Sequence, residues 1–300
     1  KNRKFFGHLN ISRPKKIAMG KSSSLSLGVE LELQIIDRMT SDLSPMAPNI
    51  LNAIQNQTNK IKNEIFQSMI EVETSICSDA NQVESDLKES LEILCKEAEK
   101  LNHSIVGLGT HPLAKYSERI LTESPRYNYL IESKQWIARR ISIFGLHCHV
   151  GTKNPDEAIA LYRFYLSVAP LLLGISASSP YFQGEYTGLH SVRSTFFEST
   201  PAGGHPPIIS SWSEFEGILT KMLKSNSITS HKDLWWDVRP SLNYGTIEIR
   251  ICDMMPSLKE NVSLVALIHF LGHCYLKHKS DYNWPNLSEW SYRENKWRAL

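Results

Sequence analysis

Four short segments of this chain alternate apolar residues with charged or imidazole ones, a period of two that extended backbone sorts onto opposite faces. In Gly28–Ile36 (GVELELQII), Val29, Leu31, Leu33 and Ile35 make one face, and Glu30, Glu32 and Gln34 the other. In MIEVETS, Ile70 and Val72 oppose Glu71 and Glu73. In FGLHCHVG, Leu146, Cys148 and Val150 oppose His147 and His149, and in TIEIRIC, Ile247, Ile249 and Ile251 oppose Glu248 and Arg250. The predicted strands therefore cover 27–36, 68–74, 142–150 and 246–252. Each carries an i, i+2 pair projecting from one face, roughly 7 Å apart at a rise of about 3.3 Å per residue.

Any one such pair can simply face water, because antiparallel sheets often have a wet side. Together they are unusual, since the polar positions hold Glu, His and Arg in place of the Thr, Ser and Lys of a solvated strand. If the faces converge, the carboxylates repel one another, and only bound cations or arginines relieve the cost of burying them. Oxygen-rich donor sets select Mg²⁺ or Mn²⁺, and Mg²⁺ is commonly shared with substrate phosphates. Arg250 would then serve phosphate or a developing negative charge. The His147-x-His149 pair alone would also suit a zinc hydrolase, with three protein ligands and an open position. The surplus of glutamates points to the harder metal.

Between the strands lie predicted helices. Leu87, Leu91, Leu94, Ala98 and Leu101 recur at helical spacing over 86–101. Asn154-Pro155 is an N-cap followed by proline at the first helical position, opening a helix toward Ser176. Ser257 and Glu260 form a capping box before an apolar helix reaching about Leu276. Strands and helices without regular βαβ alternation predict an α+β fold with a largely antiparallel sheet.

Lys and Arg (33) nearly balance Asp and Glu (31). The net charge of +2 gives no global field for nucleic acid or an anionic membrane surface. No run of 18 or more apolar residues occurs, so no membrane span is expected. Five scattered cysteines without CxxC spacing predict free thiols, no role for them in the chemistry and a cytoplasmic protein. No P-loop or GxGxxG is present.

The residues resemble a known family. Gly28–Leu33 resembles the GVExEF strand of the glutamate–cysteine ligase type 2 (carboxylate–amine ligase) family. So, in order, do GTHP (109–112), SPRY (124–127), FGLHCHVG (144–151), SASSP (176–180), WDVRP (236–240), GTIEIRICD (245–253) and RENKW (293–297). A more distant similarity is to glutamine synthetase, with its ExE, GMHxH and IEIR strands. The resemblance implies a catalytic sheet of glutamine synthetase/guanido kinase type, backed by helices. It also implies an ATP-dependent carboxylate–amine ligase that forms an amide through an acyl phosphate, with a glutamate–cysteine pair as the default substrates. Partners would be ATP, a small carboxylate such as an amino acid, and a small amine. Homo-oligomerisation is left open.

Carried over by motif, Glu30, Glu32, Glu71, His147 and Glu248 would hold Mg²⁺, with Glu30 and Glu32 on different ions and Glu73 a less certain ligand. Arg250 and Arg239 would bind phosphate, His149 would face the substrate, and Arg193 (in HSVRSTFF) would clamp a substrate carboxylate. Residues 1–24 are expected to be a polar arm, and 25–300 a single catalytic domain lacking a C-terminal segment that family members carry. Two alternatives remain at this stage, a guanidino-kinase-like phosphotransferase and a non-catalytic metal- or nucleotide-binding protein.

Overall fold

The computed structural model describes residues 18–200, 202–281 and 287–300. Its centre is a seven-stranded sheet. The strands are β1 (Leu27–Asp37), β2 (Ile61–Asn63), β3 (Met69–Glu73), β4 (His103–Val106), β5 (Leu146–Gly151), β6 (Val238–Ser241) and β7 (Thr246–Ile249). Their order is β6-β7-β5-β1-β3-β2, with β4 also on β1, and every pairing within this sheet is antiparallel. The α+β expectation holds, and all four predicted strands are present.

β1 is the spine, because its apolar alternation gives it a core face and its eleven residues leave room for three partners. Val29, Leu31, Leu33 and Ile35 are each at most 3% exposed. They pack in one apolar core with the helices Ala80–Lys100, Pro155–Ser176 and Leu258–His278. The first of these starts six residues before its apolar repeat predicts. The Asp79 side chain accepts from the Asn81 and Gln82 backbone N–H groups and caps a polar opening turn. The Asn154 and Ser257 caps form as expected.

Pro155–Ser176 is long and apolar enough to cross a membrane, with a mean hydropathy of 1.7 over 18 residues. Here it is a core helix, with Leu161, Tyr162, Tyr165, Leu172 and Leu173 fully buried.

Of the expected N-terminal arm, residues 1–17 lie outside the described residues. Within the rest, Gly20 N–H donates to the Leu242 carbonyl (2.7 Å), and just past the arm Leu25 N–H donates to that of Gly151 (2.8 Å).

The helix Glu289–Ala299, which carries RENKW, is fastened by charge. Lys296 Nζ lies 2.7 Å from both Asp237 Oδ2 and Glu198 Oε1 and is 1% exposed, and Tyr292 Oη donates to the same Asp237 oxygen at 2.7 Å. Asp237 precedes β6, and its carbonyl accepts from Arg250 N–H at 2.8 Å. Lys296 therefore secures the strand edge that presents Arg239. Removing one partner of a buried pair leaves the other charge uncompensated. Lys296→Ala is expected to lower the unfolding free energy by about 3 kcal/mol in urea titration. An unchanged unfolding midpoint would contradict that role.

Candidate active site

Strand register puts the polar positions of the central strands opposite one another. Glu30 faces His147 on β5 and Glu73 on β3, Glu32 faces Glu71, and Glu248 on β7 faces both His149 and Arg239. Because cross-strand neighbours share a face, the side chains meet in one cavity of about 380 Å³. Eight residues singled out by sequence line it: Glu30, Glu32, Glu71, His147, His149, Arg239, Glu248 and Arg250. Glu73 also reaches it and pairs with Lys62 Nζ at 2.5 Å.

The donors sort into two groups. Glu30, His147 and Glu248 each offer an atom within 4.8 Å of the others, and so do Glu32, Glu64 and Glu71. Octahedral donors about 2.1 Å from an ion lie about 3 to 4 Å apart, so small side-chain adjustments would close either group on Mg²⁺. Glu30 and Glu32 thus fall in different groups.

The electrostatics also fit divalent cations. Burial raises the Glu32 pKa to about 7, against the pull of Arg193 and Arg250. Burial also raises Glu64, and it lifts Glu71 well above the ordinary range with help from Glu64, Glu30 and Glu32. Burial thus opposes the ionisation of all three carboxyls, a cost that a bound cation would offset. In the other group, burial is outweighed by the His147 hydrogen bond and the neighbouring His149, which hold Glu30 well below its usual value. Burial and the Arg250 charge lower His147 to about 4, leaving a neutral imidazole as metal ligation requires. Its Nδ1 is 3.2 Å from Glu30 Oε2.

Glu248 is 1% exposed and held by both arginines. Arg239 Nε meets Oε2 at 2.7 Å, Arg239 Nη2 meets Oε1 at 3.1 Å, and Arg250 Nη1 donates to Oε1. Burial alone would raise this carboxyl, but the two guanidinium groups and His149 drive it far down. The arginines therefore differ. Arg239 also donates to the Lys232 and Leu234 carbonyls, so four of its five N–H groups are occupied within the protein. It therefore buttresses Glu248 and keeps one N–H donor in a side chain that lines the cavity. Arg250 places a single hydrogen bond on Glu248 and otherwise faces the cavity.

His149 hydrogen-bonds Thr246 Oγ1 through Nδ1 (2.8 Å) and stands edge-on to Tyr244, with ring centroids 5.5 Å apart. Its Nε2 lies 3.3 Å from Glu30 Oε1 without hydrogen-bond geometry. Glu30 and Glu248 flank it and keep its pKa raised despite burial.

The expected role of Arg193 is corrected. It is fully buried outside the cavity, so it has no surface to offer a substrate carboxylate. Its guanidinium donates to the Arg250 carbonyl (3.3 Å) and the Ile251 carbonyl (3.4 Å), and lies 3.9 Å from Asp253 Oδ1. A Cβ at Gly145 would collide with it, and Gly145 N–H also donates to Glu32 Oε2 at 2.6 Å. Arg193 thus supports the strand ends carrying His147 and Arg250 from beneath.

Sequence reasoning missed Glu64 and Arg126. Glu64 follows the short β2 in a loop, outside any alternating pair. Arg126 opens the helix Pro125–Lys134 in SPRY, where the motif is legible but the side chain's direction is not.

The sequence model of glutamate–cysteine ligase family 2 matches residues 26–300. The chain belongs to that family. A Bdellovibrio bacteriovorus protein with the provisional name glutamate–cysteine ligase 2 is 46% identical over 290 residues, 96% of this chain and 77% of its own length. Two solved structures share the family fold at low identity. The bifunctional glutathione synthetase of Pasteurella multocida superposes with a TM-score of 0.68 at 16% identity, over 92% of this chain and 41% of that one. The glutamate–cysteine ligase of Francisella tularensis, solved with AMP, gives 0.66 at 11% identity, over 94% of this chain and 71% of its own.

Proposed function

We propose that this chain is an ATP- and Mg²⁺-dependent carboxylate–amine ligase, with Mn²⁺ an acceptable substitute, acting on small substrates in the cytoplasm. The observation that carries the reading is the pair of donor groups lining one cavity, Glu30–His147–Glu248 and Glu32–Glu64–Glu71, with Arg250 in the same lining. Family membership and the AMP complex of the Francisella ligase support a nucleotide at this fold. Bound divalent cations would neutralise and orient the ATP phosphates.

In the proposed reaction a carboxylate oxygen of the first substrate attacks the γ-phosphorus, the bond to the bridging oxygen breaks, and ADP leaves. The amine then attacks the acyl carbon of the acyl phosphate, inorganic phosphate departs, and the nitrogen releases a proton. The chain contributes position and charge more than covalent chemistry. Arg239 keeps Glu248 ionised and oriented. Arg250 sets a guanidinium beside the transferred group, and neutral His147 and ionised Glu30 offer lone pairs without having to shed protons. None of the five cysteines lines the cavity, in keeping with activation by phosphate and not by a protein thiol.

Product analysis with ATP, Mg²⁺ and paired amino acids tests the reading. Amide, ADP and phosphate in equal amounts are expected. A phosphorylated amine, or no ADP release with any pair, would contradict it.

The acidic group also sets a pH dependence. A carboxyl whose folded-state pKa lies above its ordinary value keeps a proton that the unfolded chain has already released. Glu32 therefore subtracts stability as pH climbs from about 4.5 through about 7, and Glu64 and Glu71, both raised by burial, act in the same direction. A divalent ion replaces those protons, so the rise in Tm on adding Mg²⁺ should be larger at about pH 8 than at about pH 5.5. Equal increments by thermal denaturation would count against a metal at these three residues.

A further inference from the structure

Beyond the carboxylates the cavity continues into a second, drier space of about 100 Å³. Glu32, Glu64, Arg126, Tyr127, Trp235 and Arg250 border both. Past that shared rim the walls are apolar: Ile65, Met69, Leu130, Ile141 and Ile143 are each at most 8% exposed. Phe197 closes against Trp235, ring centroids 5.9 Å apart at a steep angle. Arg126 stands exposed at the mouth and makes no hydrogen bond or ion pair among the described residues. A guanidinium without a hydrogen bond and a small apolar recess suit two features of an α-amino acid, its carboxylate and an uncharged side chain, while the rim carboxylates Glu32 and Glu64 belong to the metal group.

Size narrows the class. An apolar cavity of about 150 Å³ accommodates a benzene molecule, so about 100 Å³ holds roughly four non-hydrogen atoms. Leucine and isoleucine side chains match that, whereas a cysteine side chain fills about half of it. A second acidic side chain would lie against Ile141 and Ile143, and it would have to compete with the α-carboxylate for Arg126 or with phosphate for Arg250 at the rim.

Resting on the ligase reading, we infer that the amine substrate is an amino acid with a branched aliphatic side chain, seated in the Leu130–Ile141–Ile143 recess with its carboxylate on Arg126. The recess lies beside Arg250, where the transferred phosphoryl group would be. Binding there therefore puts the amine next to the acyl carbon.

The test is ADP release with ATP, Mg²⁺ and glutamate fixed while the amine is varied through alanine, cysteine, valine, leucine, phenylalanine and aspartate. A kcat/KM for leucine at least about tenfold above those for alanine, cysteine and phenylalanine is expected. Leu130→Phe should move the optimum to smaller side chains and Ile141→Ala to larger ones. These are ratios within one variant, so partial loss of folded protein cancels. Calorimetric leucine binding to the intact protein, weakened at least about tenfold in Arg126→Gln, gives a second readout that needs no turnover.

ADP release with cysteine preferred, or with no preference, overturns the recess assignment and leaves the ligase reading standing. Leucine binding that depends on Arg126, without ADP release for any amine, supports the recess and overturns the ligase reading. No leucine binding and no ADP release with any amine overturns both.

Discussion

Arg250→Ala is expected to lower kcat by about 10²-fold or more, the scale of losing one preorganised charge stabiliser. The residue has one hydrogen bond on Glu248 and otherwise lines the cavity, where the proposed reaction would put the phosphates. Negative charge at that position is greater in the transition state than in bound ATP, so KM for ATP should change less than turnover. Lysine restores the charge but not the planar fork, and Arg250→Lys should recover only part of the loss. Arg239→Ala differs in kind. It unpairs a buried Glu248 and opens the Lys232 and Leu234 carbonyls, so lost stability should accompany lost activity. Steady-state kinetics with thermal denaturation separates the two. An unchanged kcat in Arg250→Ala would mean that the chemistry lies elsewhere.

Removing divalent metal is expected to have the larger effect, a loss of about 10³-fold or more on chelation. Six donor atoms in two groups hold five carboxylates that otherwise repel each other and ATP alike. Mg²⁺ and Mn²⁺ should restore the rate, and zinc should not, since the donors are mainly oxygens and the reaction needs phosphate chelation in octahedral geometry. Undiminished activity after EDTA treatment and desalting would contradict the donor assignment.

How far the site was legible follows from where each residue sits. Residues on strands with strict alternation were readable, because a period of two fixes the face and antiparallel pairing brings faces together. That covers Glu30, Glu32, Glu71, His147, His149, Glu248 and Arg250. Glu64 was not readable, since a loop carries no period. Arg193 was misread for a different reason. Its motif was evident, but whether a guanidinium points into a cleft or under it depends on the space left by Gly145, more than forty residues away in sequence. Lys296 shows the same limit: RENKW matches the family, yet the lysine's partner, Asp237, becomes visible only once the last helix is docked. The early start of the Ala80–Lys100 helix was hidden by its polar first turn, which is capped by Asp79 and not marked by apolar spacing.

The central claim is that this sheet face activates a carboxylate by phosphorylation. Its most direct test follows oxygen. With the acid substrate labelled with ¹⁸O in its carboxylate, and with ATP, Mg²⁺ and an amine present, each turnover should transfer one labelled oxygen to the released inorganic phosphate. The amide keeps the other. Unlabelled phosphate accompanying amide formation would rule out the acyl phosphate, and label-free phosphate with no amide would reduce the protein to an ATPase.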